Sequence, residues 1–363
     1  MKIAMLGLKG VPYQGGIENI TEEIGQRLVK RGHEVIVYSR GYVRVGEEHR
    51  GMRIVKVPSL RSKHLETLSH TFLSALDVLR QDVDIVQFNA LGPCTLAWIP
   101  KLKGIKTIGY IHGLDWKRAK WGWLSRQFLR LGELASVLLP DQTLVVSRIL
   151  KNYYEKKYHK QVCYIPNGVN FYPPRSPNKI MKLGLEKDNY LLFLGRLVPE
   201  KGCHYLIQAF NQIKTKMKLV IAGGQSHSDK YVRSLKKMAG KRVIFVGYVK
   251  EELLEELFSN CYLYIHPSDL EGLSISLLQA MSFGCCIVCS DIPENTTVVS
   301  DYAYTFRRGN SENLREVLGE LIDHPAKVRS RRGKAMDYVK REFDWDSIVE
   351  RLEEVYGGML SER

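Results

Sequence analysis

Hydrophobic residues fall into short continuous runs separated by longer stretches with helical spacing, an alternation that begins at the first residues. The runs at 3–7, 35–38, 54–57, 85–88, 107–111 and 143–146 are mostly apolar throughout. Strands covered on both faces read this way, whereas a strand with one wet face alternates apolar and polar positions. Amphipathic stretches lie between the runs, the first over 17–31. The pattern predicts a mainly parallel sheet wrapped by helices.

The segment 166–177 interrupts this pattern with Asn167-Gly168, Tyr172-Pro173-Pro174 and Ser176-Pro177, all turn or breaker signals. Beyond it the pattern restarts, with runs at 190–194, 219–222, 243–246, 263–265 and 287–290. A chain of 363 residues is too long for one ordinary α/β domain and suits two. The expected division is an amino-terminal domain over 1–170 and a carboxy-terminal domain over 171–344. A last amphipathic helix over 345–356 carries Ile348, Leu352 and Val355 on one face. The segment 345–363 that contains it is expected to join the first domain.

Composition narrows the class. With 44% apolar and 26% charged residues the chain is a soluble globular type rather than a disordered one. No apolar run approaches the ~20 residues of a membrane-spanning helix. The first apolar stretch ends at Leu8, too short for a signal peptide, so a cytoplasmic location is expected, with a peripheral place on the cytoplasmic face of a membrane as an extension of it. Seven cysteines without a disulfide framework fit a reducing compartment. The net charge of +15 calls for an anionic partner: nucleic acid, an anionic membrane surface or a phosphorylated substrate.

Three segments carry chemistry. The first run leads into Gly7-Leu-Lys-Gly10-Val-Pro-Tyr-Gln-Gly15-Gly16 and then a helix. Such a turn lets backbone N–H groups and the helix dipole face an anion, which makes Gly15 and Gly16 a candidate phosphate-facing turn; a tight turn that needs glycine for its backbone angles reads equally well. The spacing is neither G-x-G-x-x-G nor a P-loop, so a nicotinamide cofactor or ATP is not implied. In Gly195-Arg196-Leu-Val-Pro-Glu200-Lys201-Gly202, Arg196 sits at a strand's carboxyl end and Lys201 near the next helix. Open α/β sheets bind ligands at such positions, and these cations suit a diphosphate, although solvated loop charges are the plain alternative.

The stretch His266-Pro-Ser-Asp-Leu-Glu271-Gly272-Leu273-Ser274-Ile-Ser-Leu-Leu-Gln279 is the most informative. Its expected form is a strand end, a glycine turn and a helix whose first turn follows Glu271. Amides at Gly272, Leu273 and Ser274 would face an anion, and Glu271 would accept from sugar hydroxyls or simply favour the helix dipole. Gln279 would lie two turns on, about 12 Å away along the same helix.

On these segments, in this order and spacing, the chain resembles the family 4 retaining glycosyltransferases of GT-B fold over nearly its whole length. The stretch His112-Gly-Leu-Asp-Trp-Lys-Arg-Ala-Lys-Trp121 also looks like a bacterial subgroup labelled as rhamnosyl- or other polysaccharide glycosyltransferases. The resemblance implies two Rossmann-like domains facing each other across a cleft. It implies metal-independent transfer of a hexosyl or deoxyhexosyl group from a nucleotide-diphosphate sugar, UDP favoured, to a glycan or lipid-linked acceptor in surface polysaccharide synthesis. The nucleotide sugar is the substrate, and no cofactor or metal is expected. Arg196 and Lys201 would bind the diphosphate, Glu271 the sugar hydroxyls, and the Gly272, Leu273 and Ser274 amides the sugar and distal phosphate. His112 would approach the donor sugar, residue 279 the ribose hydroxyls, and backbone near Gly247 to Val249 would read the base, with Gly195 among the donor-binding positions. Where the family carries a second glutamate, this chain has Gln279, which forgoes a charge-assisted hydrogen bond.

Other readings stay beside this one. A nucleotide-sugar epimerase of the same architecture would bind the same donor. An oxidoreductase lacks its glycine fingerprint, and nucleic-acid binding lacks a zinc-finger or RNP-type motif. Cys285-Cys286-Ile-Val-Cys289 lies on an apolar run and reads as small buried hydrophobes rather than metal ligands. The segment 116–130 mixes three tryptophans with five cations, which suits either an anionic membrane surface or a solvated basic face with a core-facing aromatic stripe.

Overall fold

In the computed structural model the described residues are 1–62, 65–118, 121–224 and 229–361. The chain divides into two units, Met1–Gly168 with Trp345–Arg363, and Val169–Asp344. Unit 1 contains β1 (Lys2–Leu6), β2 (Glu34–Arg40), β3 (Glu48–His49), β4 (Met52–Val57), β5 (Ile85–Asn89), β6 (Lys106–Ile111), β7 (Gln142–Val145) and β8 (Cys163–Tyr164). Its sheet runs β3-β4-β2-β1-β5-β6-β7-β8, parallel except for the β3–β4 edge pair. Its helices are α1 (Gly16–Lys30), α2 (Glu66–Val78), α3 (Leu91–Cys94), α4 (Trp98–Lys101), α5 (Trp123–Leu138) and α6 (Arg148–Tyr158).

Strand order places the helices. The β1-α1-β2 step moves one way across the sheet, and the β4-α2-β5 step returns past β1 to its other side. Right-handed crossovers therefore put α1 and α2 on opposite faces. Helices α3, α4 and α5 follow on the α2 side, and α2 touches α3 and α4 while α3 touches α5.

Unit 2 contains β9 (Tyr190–Leu194), β10 (Lys218–Ala222), β11 (Val243–Gly247), β12 (Leu263–His266), β13 (Ile287–Ser290) and β14 (Tyr304–Phe306), all parallel in the order β11-β10-β9-β12-β13-β14. Its helices are α7 (Cys203–Asn211), α8 (Asp229–Met238), α9 (Glu251–Asn260), α10 (Ile275–Ser282), α11 (Pro293–Val299), α12 (Ser311–Asp323), α13 (Pro325–Arg331) and α14 (Met336–Phe343). Helix α7 shows how the core forms. Cys203, Leu206, Ile207 and Phe210 share one helical face and pack with Leu191, Phe193 and Ile221 of the sheet. The chain then returns to unit 1 as α15 (Trp345–Ser361), which packs on α1 and buries Tyr356, whose hydroxyl donates to Gln87 Oε1 at 2.6 Å.

Sequence and structure differ at three kinds of place. The two- and three-residue strands β3, β8 and β14 were not expected, being too short to stand out along the chain. Segment 116–130 is not one helix: Asp115–Lys117 form a 3₁₀ turn, Ala119 and Lys120 lie outside the described residues, and α5 starts at Trp123. Its tryptophans do not form one core-facing stripe either. Trp116 donates its indole N–H to buried Glu133 at 2.5 Å, whereas Trp123 is 72% exposed. Finally, the helix after Glu271 begins later than expected, as described next.

Candidate active site

Each sheet reverses its winding direction once, between β1 and β5 in unit 1 and between β9 and β12 in unit 2. Ligands of open α/β sheets bind at the carboxyl ends of the strands flanking such a switch point, where loops diverge to opposite faces and leave a crevice. In unit 2 the loop after β9 carries Arg196 and Lys201, and the loop after β12 carries Glu271. The switch point thus brings together residues 70 positions apart.

Their contact is direct. Lys201 Nζ donates to Glu271 Oε1 at 2.5 Å, with the side chains 15% and 7% exposed. Gly202 makes this approach possible. It adopts φ +66°, and a Cβ there would lie 1.9 Å from the Pro267 carbonyl oxygen. Only a residue without a side chain lets the Lys201 turn press against the loop after β12. A backbone bond from Asp269 N–H to the Glu200 carbonyl, 2.9 Å, ties the two loops further.

His266, quoted in the sequence motif without a role, completes the cluster. It is buried at the end of β12, and its Nε2 lies 2.9 Å from Glu271 Oε1 while its Nδ1 lies 3.2 Å from the Tyr264 hydroxyl. With Nε2–H donating to the carboxylate, Nδ1 accepts from Tyr264. Burial pushes the imidazole pKa down, partly offset by Glu271, so the neutral form is favoured. Burial alone would raise the Glu271 carboxyl; the Lys201 charge and the His266 hydrogen bond outweigh it and hold the group far below the usual carboxylate range. Glu271 is therefore a fixed anion with Lys201 and His266 both on Oε1, and Oε2 has no hydrogen-bond partner among the described residues.

The helix expected to start after Glu271 starts at Ile275 instead. Ser274 is its N-cap, and its hydroxyl accepts from the Leu277 N–H at 3.4 Å. Serine competes for its own backbone in this way, so it sets the helix boundary. Glu271 and Gln279 are consequently not on one helix, and the 12 Å helical spacing does not apply. Gly272 and Leu273 lie in the bend before the cap, and Gln279, half-buried, sits in the second turn of α10. Arg196 is exposed at the end of β9.

Three glycines crest this sheet edge. Gly195 N–H donates to the Ala222 carbonyl at 3.0 Å, and Gly223 N–H to the Gly247 carbonyl at 2.7 Å. A Cβ on Gly223 would meet the Gly195 oxygen at 1.9 Å. Gly223 carried no signal in the sequence because it stands outside any motif. Val249, two residues past β11, is buried.

In unit 1, Gly15 caps α1 and Gly16 opens it. Gly15 has φ 174°, extended backbone open to any residue, so backbone angle is not what asks for glycine here. The demand is space, since a Cβ would fall 1.9 Å from Glu18 Oε2. Glu18 turns back from the first turn of α1 to accept the Lys9 N–H at 3.1 Å. That carboxylate already favours the positive end of the helix dipole, which weakens the phosphate-facing reading of this turn. His112 directly follows β6, its ring tilted 46° against that of Tyr110 with centroids 4.5 Å apart, and its Nε2 lies 3.5 Å from Asn89 Oδ1. Burial, then the Arg118 charge, lowers its pKa to about 3. Its Nδ1 is buried without a hydrogen-bond partner among the described residues.

Comparison with known proteins agrees with this layout. Residues 14–171 match the profile of Glycosyltransferase Family 4, and residues 175–337 that of Glycosyl transferases group 1. The gpi3 subunit of the Schizosaccharomyces pombe phosphatidylinositol N-acetylglucosaminyltransferase is 26% identical over 97% of this chain and 79% of its own length. An Escherichia coli O-antigen chain mannosyltransferase B is 26% identical over 51% of each chain. Among solved structures, the sucrose-phosphate synthase of Thermosynechococcus elongatus superposes with a TM-score of 0.86 at 20% identity, covering 100% of both chains. The Anabaena protein HepE, solved with UDP and glucose, superposes with a TM-score of 0.84 at 18% identity over 99% of this chain and 100% of its own.

Proposed function

We propose that this chain, which belongs to the family 4, group 1 glycosyltransferases of GT-B fold, moves a hexosyl or deoxyhexosyl group from a UDP-sugar to a glycan or lipid-linked acceptor in surface polysaccharide synthesis. The observation that carries the donor assignment is the Lys201–Glu271–His266 cluster at the unit 2 switch point. A glycosidic bond to diphosphate breaks with negative charge growing on the leaving phosphate and positive charge growing on the sugar. Preorganised cations aimed at that phosphate lower the barrier, because they need no reorganisation as the charge appears.

Lys201, fixed by Glu271, and Arg196, exposed at the strand end, are the cations we assign to the diphosphate. Amides in the bend at Gly272 and Leu273 and at the Ser274 cap add donors for the distal phosphate. Glu271 keeps Oε2 for a sugar hydroxyl, and the neutral His266 holds the carboxylate in place. Gln279 meets the ribose, and Gly195 and Val249 mark the backbone that lines the nucleotide. In unit 1 we assign His112 to the donor sugar on the strength of its unpartnered Nδ1, and Gly15 and Gly16 to the donor-facing turn. We propose retention of anomeric configuration and no resident cofactor or metal, since the cations described supply the charge that leaving-group departure requires.

The HepE structure with UDP and glucose and the fungal and bacterial sugar transferases among the relatives support this reading. It is tested by supplying UDP-, GDP- and dTDP-sugars with glycan and lipid-linked acceptors and following both nucleotide and sugar. Sugar on the acceptor, with UDP released, is the expected result. Sugar returned as its isomer on the nucleotide would replace transfer by epimerisation.

A further inference from the structure

Helices α2 and α5 each carry an exposed apolar stripe besides their buried face. Helix α5 buries Leu129, Gly132, Glu133, Ser136 and Val137 and exposes Leu124, Phe128, Leu131 and Leu138, the last at 56% and Leu124 at 75%. These exposed positions recur at helical spacing, so they form one continuous stripe. Helix α2 does the same: His70, Thr71, Ser74, Ala75 and Val78 are buried, while Phe72, Leu73 and Leu76 are exposed. Trp98 of α4, 48% exposed, and Leu102 just after it, 71% exposed, add to this apolar surface, and α4 touches α2.

The orientation of α5 is over-determined. Buried Glu133 accepts from Trp116, Tyr153, Lys157 and Tyr158 at 2.5–2.9 Å, and its charge could not be turned to solvent without stranding four donors. A Cβ on Gly132 would lie 2.7 Å from the Leu91 carbonyl oxygen, so α3 seats against that face. The stripe therefore points outward by construction. Soluble monomers rarely leave so much contiguous apolar surface uncovered.

We propose that this α2–α4–α5 face docks the chain onto an anionic lipid surface. Charge chooses the occupant. Glu133 is the one acid of α5 and is buried, while Arg126 and Arg130 border its apolar stripe and are exposed, as are Lys103 after α4 and Arg80 after α2. Trp98 and Trp123 are exposed, and amphipathic rings of this kind settle in headgroups. Among the described residues no helix is long and apolar enough to cross a membrane, so the face would lie on the surface rather than span it. A second copy fits less well, because it would enclose the exposed Arg126 and Arg130 in an interface core, where charged residues are depleted. The inference deepens the proposed function, since a face that holds lipid would present a lipid-linked acceptor to unit 1.

Vesicle flotation tests it without any sugar donor, so its failure and the failure of glycosyl transfer are separate results. Wild-type protein is expected to float with phosphatidylcholine vesicles containing phosphatidylglycerol, and less with phosphatidylcholine alone or at high salt. Leu124→Glu/Leu131→Glu is expected to weaken binding at least about tenfold. Arg126→Glu/Arg130→Glu should remove the preference for anionic lipid. Unchanged thermal midpoints show that the exposed substitutions leave the fold intact. Wild-type protein that stays unbound, or a leucine variant that floats as well as wild type, overturns the proposal. So does a wild-type dimer in solution that the leucine substitutions convert to monomer, which would assign the face to a second copy.

Discussion

Replacing Glu271 by Gln probes the Lys201–Glu271–His266 cluster with the smallest change of shape. Glutamine keeps an acceptor near Lys201 and His266 but removes the charge, leaving an ammonium that is 15% exposed without its counter-ion. Breaking a buried pair from one side costs roughly 3–5 kcal/mol, and the residual water access of Lys201 brings the expectation to about 2–4 kcal/mol. In a domain of this size that lowers the unfolding midpoint by roughly 5–15 °C. The pH dependence has a fixed sign. The folded carboxyl is held far below its ordinary value, so its contribution is complete above the usual carboxylate pKa and is lost as pH falls from there toward the folded value. Thermal melts of wild type and variant should differ by a constant amount between pH 8 and 5, and the gap should narrow below about pH 4.5. Lys201 keeps its charge in the variant, so a nucleoside diphosphate should still stabilise it while sugar transfer falls. A gap under 2 °C at pH 7, or one that widens on acidification, refutes the reasoning.

Two further outcomes follow from buried geometry. Gly202→Ala forces a side chain toward the Pro267 oxygen at a positive φ, at a cost of about 1–3 kcal/mol for the backbone alone; melts should show a loss of several degrees together with lost turnover, and near-normal activity would detach Gly202 from the placement of Lys201. Acid should destabilise unit 1 well above the carboxylate range. His70 is fully buried, and burial, then the Arg40 charge, lowers its pKa to about 4, as burial lowers that of His112 to about 3. The unfolded chain takes up these protons near pH 6.5, so stability is complete above that pH and falls below it by roughly 1.4 kcal/mol per pH unit per histidine until the folded values are reached. A midpoint that stays flat from pH 7 to 5 would count against both assignments.

Much of this architecture was legible because doubly covered strands are written as unbroken apolar runs. The runs at 190–194 and 287–290 coincide with β9 and β13 in full. Edge elements were not legible, since β14 at Tyr304–Phe306 pairs on one side only and needs no apolar run. At the site, the cations and Glu271 could be read from their positions after strands, but their mutual engagement could not. Lys201 and Glu271 meet because Gly202 lacks a side chain against Pro267, a long-range contact that no local spacing encodes. The same holds for His266, whose role depends on a carboxylate brought back by the loop. The helix boundary at Ser274 was available in principle, because serine is a strong cap and Leu277 stands three residues on. For segment 116–130 the residues left a membrane-facing and a core-facing reading equally open, because an apolar stripe at helical spacing suits both, and the buried Glu133 on the opposite side is what fixes which way α5 turns.

The central claim is that a nucleotide-diphosphate donor binds at the switch point of unit 2 through Arg196 and Lys201. Thermal shift with UDP, a UDP-sugar and UMP, on wild type and Arg196→Ala, tests it most directly. Ligand at a hundred times its dissociation constant adds about 2.7 kcal/mol, so the two diphosphates should raise the wild-type midpoint by several degrees, UMP by less, and the variant should lose most of the diphosphate shift measured from its own ligand-free midpoint. A wild-type protein that no nucleotide sugar stabilises, or a variant that responds as wild type does, would contradict the account.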